Sequence, residues 1–555
     1  MEFRFNQTLK MLAVAGVIGS LAACGGGGGG GSPVITPPAE VITAPYKYVF
    51  SFVNALDGKP ITDSLTIQFT GASITSGEVL DSNNKVIKVG DSFTTTNGLF
   101  AAAANFNGTE DVFTILGGNL AKGWNTSGVQ ILGVASKQGE QVVTIKLNKI
   151  GNAAAIQADS TLGIGMVASS TTAAAGGALP AVTLTTTDKT VTNAENKAES
   201  VGTATITIPA GTVARDANNV PASGALSLTV TKYANSDVDA LAAFPGGFTP
   251  NAQLSNGTTA SGNFVTGGFA QFNITDAAGK AIKKFDTPIQ LTIDLPKTSK
   301  NPTTGATIKA GDTYPVWSFD EATGKWVFEA DGQVREKTPV DANNFEVVFN
   351  STHLSYWNLD YFESANCTGT VNIARNPAGD TRPLNVDIVG VEGSRFYRAL
   401  YGVTDSTQTL FYSPRINVNV TVKDSKGNVV GSATNQNLCT GVTVNTQLPT
   451  VTYATLQTNV TESCRDGVTG KRAVPTYVYF YDNSMYRGGY YATGTSTIGS
   501  IESGTNGTLW VWNRFTNQWQ TSSVAVTAPT TTRNINFPNL DCATGSVTGS
   551  VTGAQ

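Results

Sequence analysis

Apolar and polar residues alternate along much of the chain with a period of two, in short runs. The stretch Arg415-Ile416-Asn417-Val418-Asn419-Val420-Thr421-Val422 shows the pattern most cleanly and turns at Asp424-Ser425-Lys426-Gly427-Asn428. Successive strand side chains point to opposite faces, so this spacing predicts a half-buried β-strand with one face on a core. Strands are also predicted at residues 46–53, ended by Asp57-Gly58-Lys59-Pro60, and at 204–208, 226–231 and 272–275. Residues 477–481 (Tyr-Val-Tyr-Phe-Tyr) and 509–512 (Leu-Trp-Val-Trp) are aromatic strands. Gly, Asn and Asp clusters separate these runs, which suits antiparallel sandwiches. Beyond the first 23 residues no helical stripe of comparable length appears. The expected fold class is all-β, built from tandem β-sandwich domains.

Composition breaks divide the chain. Residues 11–23 are apolar and small, follow Arg4 and Lys10, and are too short to span a bilayer as a helix of ~20 residues. They end in Leu21-Ala22-Ala23-Cys24, followed by seven glycines. This string resembles the lipobox of bacterial lipoproteins. The resemblance implies cleavage before Cys24, lipidation of its thiol and, with Gly25 next, delivery to the outer membrane, facing either the periplasm or the exterior. A single acyl chain holds weakly, so stable anchoring calls for several. The expected organisation is a signal peptide at 1–23, a lipidated Cys and Gly/Pro tether at 24–44, and a β-sandwich at 45–150. A linker or long loop at 151–180, rich in Ala, Ser, Thr and Gly, precedes a β domain at 181–362 and two disulfide-stapled sandwiches at 363–450 and 451–555.

Removing the first 23 residues leaves 532, enough for three to four domains with their own cores. The charge is then −5, from 34 basic and 39 acidic residues, with no basic stripe, which argues against nucleic acid as a partner. Charged residues make up only 14% of the chain, a composition closer to exported β-rich proteins than to cytosolic enzymes.

Within 181–362 four elements follow one another: Ile208-Pro209-Ala210-Gly211-Thr212, Phe244-Pro245-Gly246-Gly247, the hairpin from Trp317-Ser318-Phe319-Asp320 to Gly324-Lys325-Trp326, and His353-Leu354-Ser355-Tyr356-Trp357-Asn358-Leu359-Asp360. Together they resemble the β-rich extracellular domain of cartilage intermediate layer proteins and of many bacterial lipoproteins, which implies a non-catalytic module. Phe52-Val53-Asn54-Ala55-Leu56-Asp57-Gly58-Lys59-Pro60-Ile61 looks like the opening of a carboxypeptidase-regulatory-like, transthyretin-type sandwich, and the two C-terminal segments look similar.

The cysteines besides Cys24 are Cys367, Cys439, Cys464 and Cys542, an even number that an oxidising compartment would pair. Cys367 and Cys464 each open a segment, while Cys439 and Cys542 close one at separations of 72 and 78. Two modules stapled end to end, Cys367 to Cys439 and Cys464 to Cys542, is the economical arrangement. Metal ligation is the rival, but CxxC proximity and histidine partners are lacking.

The chain has one histidine, His353, which could serve as a general base with Ser355 or Asp360, or simply pack beside Trp357. No Gly-x-Ser-x-Gly elbow accompanies it. Asp57, Asp276, Asp320, Glu321 and Asp424 lie in turns, where acids bond local backbone. No cofactor, metal loop or phosphate loop is indicated. The feature with binding potential is aromatic: Tyr477 and Tyr479 share a face of one strand, Trp510 and Trp512 a face of another. Such rings either form a core or offer a flat platform on which sugar rings stack. The expectation is a non-catalytic, lipid-anchored display, adhesion or structural scaffold with a glycan or envelope protein as partner. Alternatives are polysaccharide binding by those rings and, less favoured by the residues, a hydrolase.

Overall fold

The computed structural model describes residues 44–540 except 108–111, 134, 135, 137, 194, 365, 366, 425, 465–470, 483–485 and 517. The signal segment, Cys24, the glycine tether and Cys542 lie outside the described residues. The fold is all-β, and the described helices are no longer than six residues.

The first module packs two four-stranded sheets face to face. Its strand Tyr46–Asn54 runs antiparallel to Leu99–Ala104 and parallel to Gly139–Leu147. Tyr48, Phe50 and Phe52 point into the sandwich, where they meet Ile67, Phe69 and Phe113. Val49 on the opposite side is equally buried. Both faces of this strand are therefore covered at its middle, which explains the consecutive apolar residues Tyr48, Val49 and Phe50.

The second module is one large sheet of thirteen strands that includes Asn263–Asp276 and Ala281–Pro296. Residues 151–180, expected to be a linker or long loop, are structured. A short helix, Ala153–Ala158, leads into strand Ile164–Ala173, which pairs along its whole length with Gly224–Tyr233. Ile164 and Met166 enter the core, whereas Ser169, Ser170 and Thr172 face solvent. The small polar residues that resemble a linker are the exposed stretch of a strand at the end of the sheet path.

The tryptophan hairpin forms as expected, with Phe319 opposite Trp326 and Trp317 opposite Phe328. Trp326 is fully buried, stacks on Phe244 at 4.8 Å and donates its indole N–H to the Pro245 carbonyl at 2.8 Å. Gly246, at φ +80°, lets the chain turn beneath these rings. Trp326→Ala is expected to cost about 3–5 kcal/mol of stability, read as a lowered denaturant midpoint.

The third and fourth modules are sandwiches of three plus four and four plus four strands. In Asn417–Lys423 the period-two reading holds: Val418, Val420 and Val422 are buried and the residues between them are not. Asp424 accepts the amide hydrogens of Lys426 and Asn428, both at 2.9 Å, while Asp276 does the same for Ala278 and Lys280. Asp320 caps the tryptophan hairpin through Ala322 N and Thr323 Oγ1.

Cys367 and Cys439 are joined, with their Cα atoms 5.7 Å apart, closing the third module between its first strand and the short helix Leu438–Thr440. Replacing both by serine is expected to cost about 2–5 kcal/mol, checked by thermal unfolding with and without reductant. Cys464 is disulfide-bonded and ends strand Tyr453–Cys464, where its register partner is Leu540. Its expected partner, Cys542, follows two residues later, outside the described chain.

Candidate functional site

The aromatic residues of the fourth module do come together, but not as an exposed platform. Tyr479 and Trp510 are register partners, with Tyr477 beside them, and all three are buried. Trp512 is partly buried in the same cluster and packs edge-on against Trp519 at 5.3 Å. What covers them is the first module: Val49, Leu80, Leu99, Ala101 and Ala103 belong to the same apolar cluster. The reading of Tyr477, Tyr479, Trp510 and Trp512 as an open ligand surface is thus corrected to a seam between two modules. The physical fit is simple, because the small side chains of Ala101 and Ala103 leave a flat sheet face on which large rings can lie. Val478, Phe480, Leu509 and Val511 point the other way, into the fourth module's own core.

This seam closes a cycle of contacts. The first module meets the second through Thr114 Oγ1 on the Gly324 carbonyl, 3.1 Å, and Asn148 Nδ2 on Tyr233 Oη, 2.6 Å. At Gly279 a side chain would strike Ala121, so that approach is backbone-close. The second meets the third through Arg395, whose guanidinium pairs with Glu195 at 2.9 Å and Glu199 at 3.0 Å. Phe248 and Phe396 continue the second module's core into the third. The third meets the fourth through Lys426 with Glu502, 2.6 Å, and Arg382 stacked 5.3 Å from the Tyr453 ring. With the fourth seated on the first, the modules close a ring, across which strand Gly139–Leu147 of the first also meets Tyr397–Val403 of the third.

Inside that ring lies a cavity of about 980 Å³ to which all four modules contribute. Tyr48 and Lys146 come from the first, Asp239 from the second, Asp387, Tyr397 and Tyr401 from the third, and Arg487 and Tyr491 from the fourth. Lys146 pairs with Asp239 across the boundary between first and second modules. Asp387 accepts from Tyr397 Oη at 3.0 Å on one oxygen and pairs with Lys423 Nζ at 2.8 Å through the other. Arg487 is held by Asp482 at 3.1 Å. No sequence motif marks this place, since its residues are spread over some 450 positions that only the ring brings together.

His353 does not assemble with Ser355 or Asp360. Its Nδ1 lies 3.3 Å from Ser351 Oγ, its Nε2 lies 3.6 Å from Glu329, and its ring packs 4.9 Å from Trp357. Burial holds its pKa below the usual imidazole value, with Glu329 opposing. Ser355 donates instead to the Phe319 carbonyl. Asp360 points into the opposite core: Trp357 and Leu359 face one apolar cluster, while its own neighbours Tyr356 and Phe362 face the other. It is fully buried, and burial pushes its carboxyl up to about 8. Among the described residues no group of three or more His, Cys, Asp or Glu side chains could hold a metal ion, and no helix is long and apolar enough to cross a membrane.

No family model and no curated protein matches the chain. Among solved structures, the minor pilin GBS52 of Streptococcus agalactiae is similar at 10% identity over 31% of this chain and 95% of that one, with a TM-score of 0.15. The major pilin subunit BcpA of Bacillus cereus, at 10% identity, covers 89% and 99% with a TM-score of 0.13. The full-length major pilin SpaD of Corynebacterium diphtheriae, at 8% identity, covers 90% and 99% with a TM-score of 0.14. Scores of this size describe no common superposition, and the fold of this chain rests on its own strand pairings.

Proposed function

We propose that this chain is a lipid-anchored, non-catalytic scaffold of the bacterial cell envelope, held on the outer membrane through Cys24 and carrying its modules as a ring. The observation that carries the reading is the burial of the fourth module's aromatic face on the first module. It replaces the picture of sandwiches strung in series with one rigid body carried on the glycine tether. The polar side chains support the same reading: turn acids bind backbone, interface charges are paired, and His353 is engaged by Ser351 and Trp357.

Metabolic labelling with an alkyne-bearing fatty acid in a Gram-negative host tests the anchor. Label and outer-membrane sedimentation are expected for the natural chain and should both vanish in Cys24→Ala. Hydrolase chemistry is tested with a fluorophosphonate probe on the purified protein; labelling that disappears in His353→Ala would overturn the non-catalytic reading.

A further inference from the structure

We propose that the half-open cavity within the ring binds a neutral oligosaccharide. The inference rests on the closed arrangement of modules and assigns it a ligand. Its volume of about 980 Å³ lies at the upper end of the ~300–1,000 Å³ typical of pockets that enclose small ligands, which leaves room for several sugar rings.

The chemistry of the wall selects the class. Lys146, Arg398, Lys423 and Arg487 face Asp239, Asp387 and Asp405 in the lining, and Arg487 is already matched by Asp482 just outside it. Charges so nearly balanced give an anion or a cation no net attraction. A purely apolar ligand would strip water from the Asp387–Lys423 pair without replacing its lost hydrogen bonds, which is costly. A ligand bearing hydroxyl groups does replace them. Asp387 uses one acceptor position on each oxygen, for Tyr397 and Lys423, and an ionised carboxylate offers about four. Lys423 likewise keeps donors beyond the one it spends on Asp387. Tyr401, 38% exposed, stands on the same strand as Tyr397, where its ring can stack on the CH face of a pyranose. Backbone groups and ion pairs already linked to one another need little reordering when such a ligand arrives.

The test is calorimetric titration of the full chain with maltotetraose, cellotetraose, xylotetraose and laminaritetraose, and with tetragalacturonate as the anionic comparator. At least one neutral tetrasaccharide is expected to bind, with affinity reduced tenfold or more in Asp387→Asn and in Tyr401→Ala. Hydrogen exchange on the unmodified chain gives a second reading that needs no variant: the bound sugar should protect strand Tyr397–Val403. The proposal is overturned if none of the four binds at millimolar concentration, if only the galacturonate binds, if both variants bind as the natural chain does, or if that strand is not protected. Scattering on the same samples separates the two readings, since a compact chain that fails to bind removes the ligand and leaves the ring.

Discussion

Arg395→Ala is expected to lower stability by about 3–5 kcal/mol and to loosen the third module from the second. Arg395 is 3% exposed, and its two terminal nitrogens hold Glu195 and Glu199, both on the second module. Its own carbonyl accepts the Thr266 amide at 2.8 Å, so the side chain is fixed where the two sheets meet. Truncation leaves Glu199 with no cation and Glu195 with only the exposed Lys197 at 3.4 Å, and an uncompensated buried charge is where such cost concentrates. Burial alone would raise the Glu195 carboxyl, but the Arg395 guanidinium together with Lys197 outweighs it and holds that group below its usual range. This contribution is therefore present above the unfolded carboxylate value of about 4.3 and is lost as pH falls through the folded one. Urea unfolding at pH 7 checks the size of the effect. The triple change Arg395→Met, Glu195→Gln, Glu199→Gln should recover much of the loss, because no charge is then stranded.

The second large effect concerns pH and runs the other way. Asp360 is completely buried, and burial pushes its pKa up to about 8 against the opposing pull of Thr266 and Asn358. The unfolded group titrates near 3.9, so between about pH 4 and pH 8 the native state keeps a proton that the unfolded state has released. Stability from this site is complete below the unfolded value and is lost as pH rises through 8, a decline of order 5 kcal/mol across the window. Asp360→Asn keeps the shape and removes the titration, and should flatten the profile between pH 5 and pH 8.5. An unchanged slope in that variant would show that other groups carry the dependence. Lys232 adds the opposite trend at higher pH. Buried, with its ammonium bonded to the Tyr233 carbonyl at 3.1 Å, it is pushed down to about 8 by burial, against the pull of Asp294 and Asp188. The unfolded lysine holds its proton to about 10.4, so this site regains stability as pH rises from 8 to 10. The two together place the least stable pH near 8.

Strands were legible wherever one face of a sheet meets water. The valines of Asn417–Lys423 alternate because the residues between them are less buried, and the turn acids at Asp276, Asp320 and Asp424 declared themselves by the glycines beside them. The pattern was less informative where both faces are covered. Tyr48 to Phe50 and Tyr477 to Phe480 are unbroken apolar runs because alternate side chains enter two different cores. That continuity was the available sign of docking between modules, since a strand in an isolated sandwich would have kept one polar face. The edge strand Ile164–Ala173 was hidden for the converse reason: its solvent-facing residues are too small and polar to signal a strand. The cavity could not be read at all, because its walls come from four modules and no local run contains them.

Small-angle scattering of the chain from residue 32 onward tests the ring most directly, with Trp519→Asp as its disrupted counterpart. A closed body of this length should give a radius of gyration of about 25 Å. Four modules in line, each ~35 Å long as strands of about ten residues require, would give about 40 Å. The account predicts the smaller value for the natural chain and an increase in the variant; a natural chain already near 40 Å would contradict it.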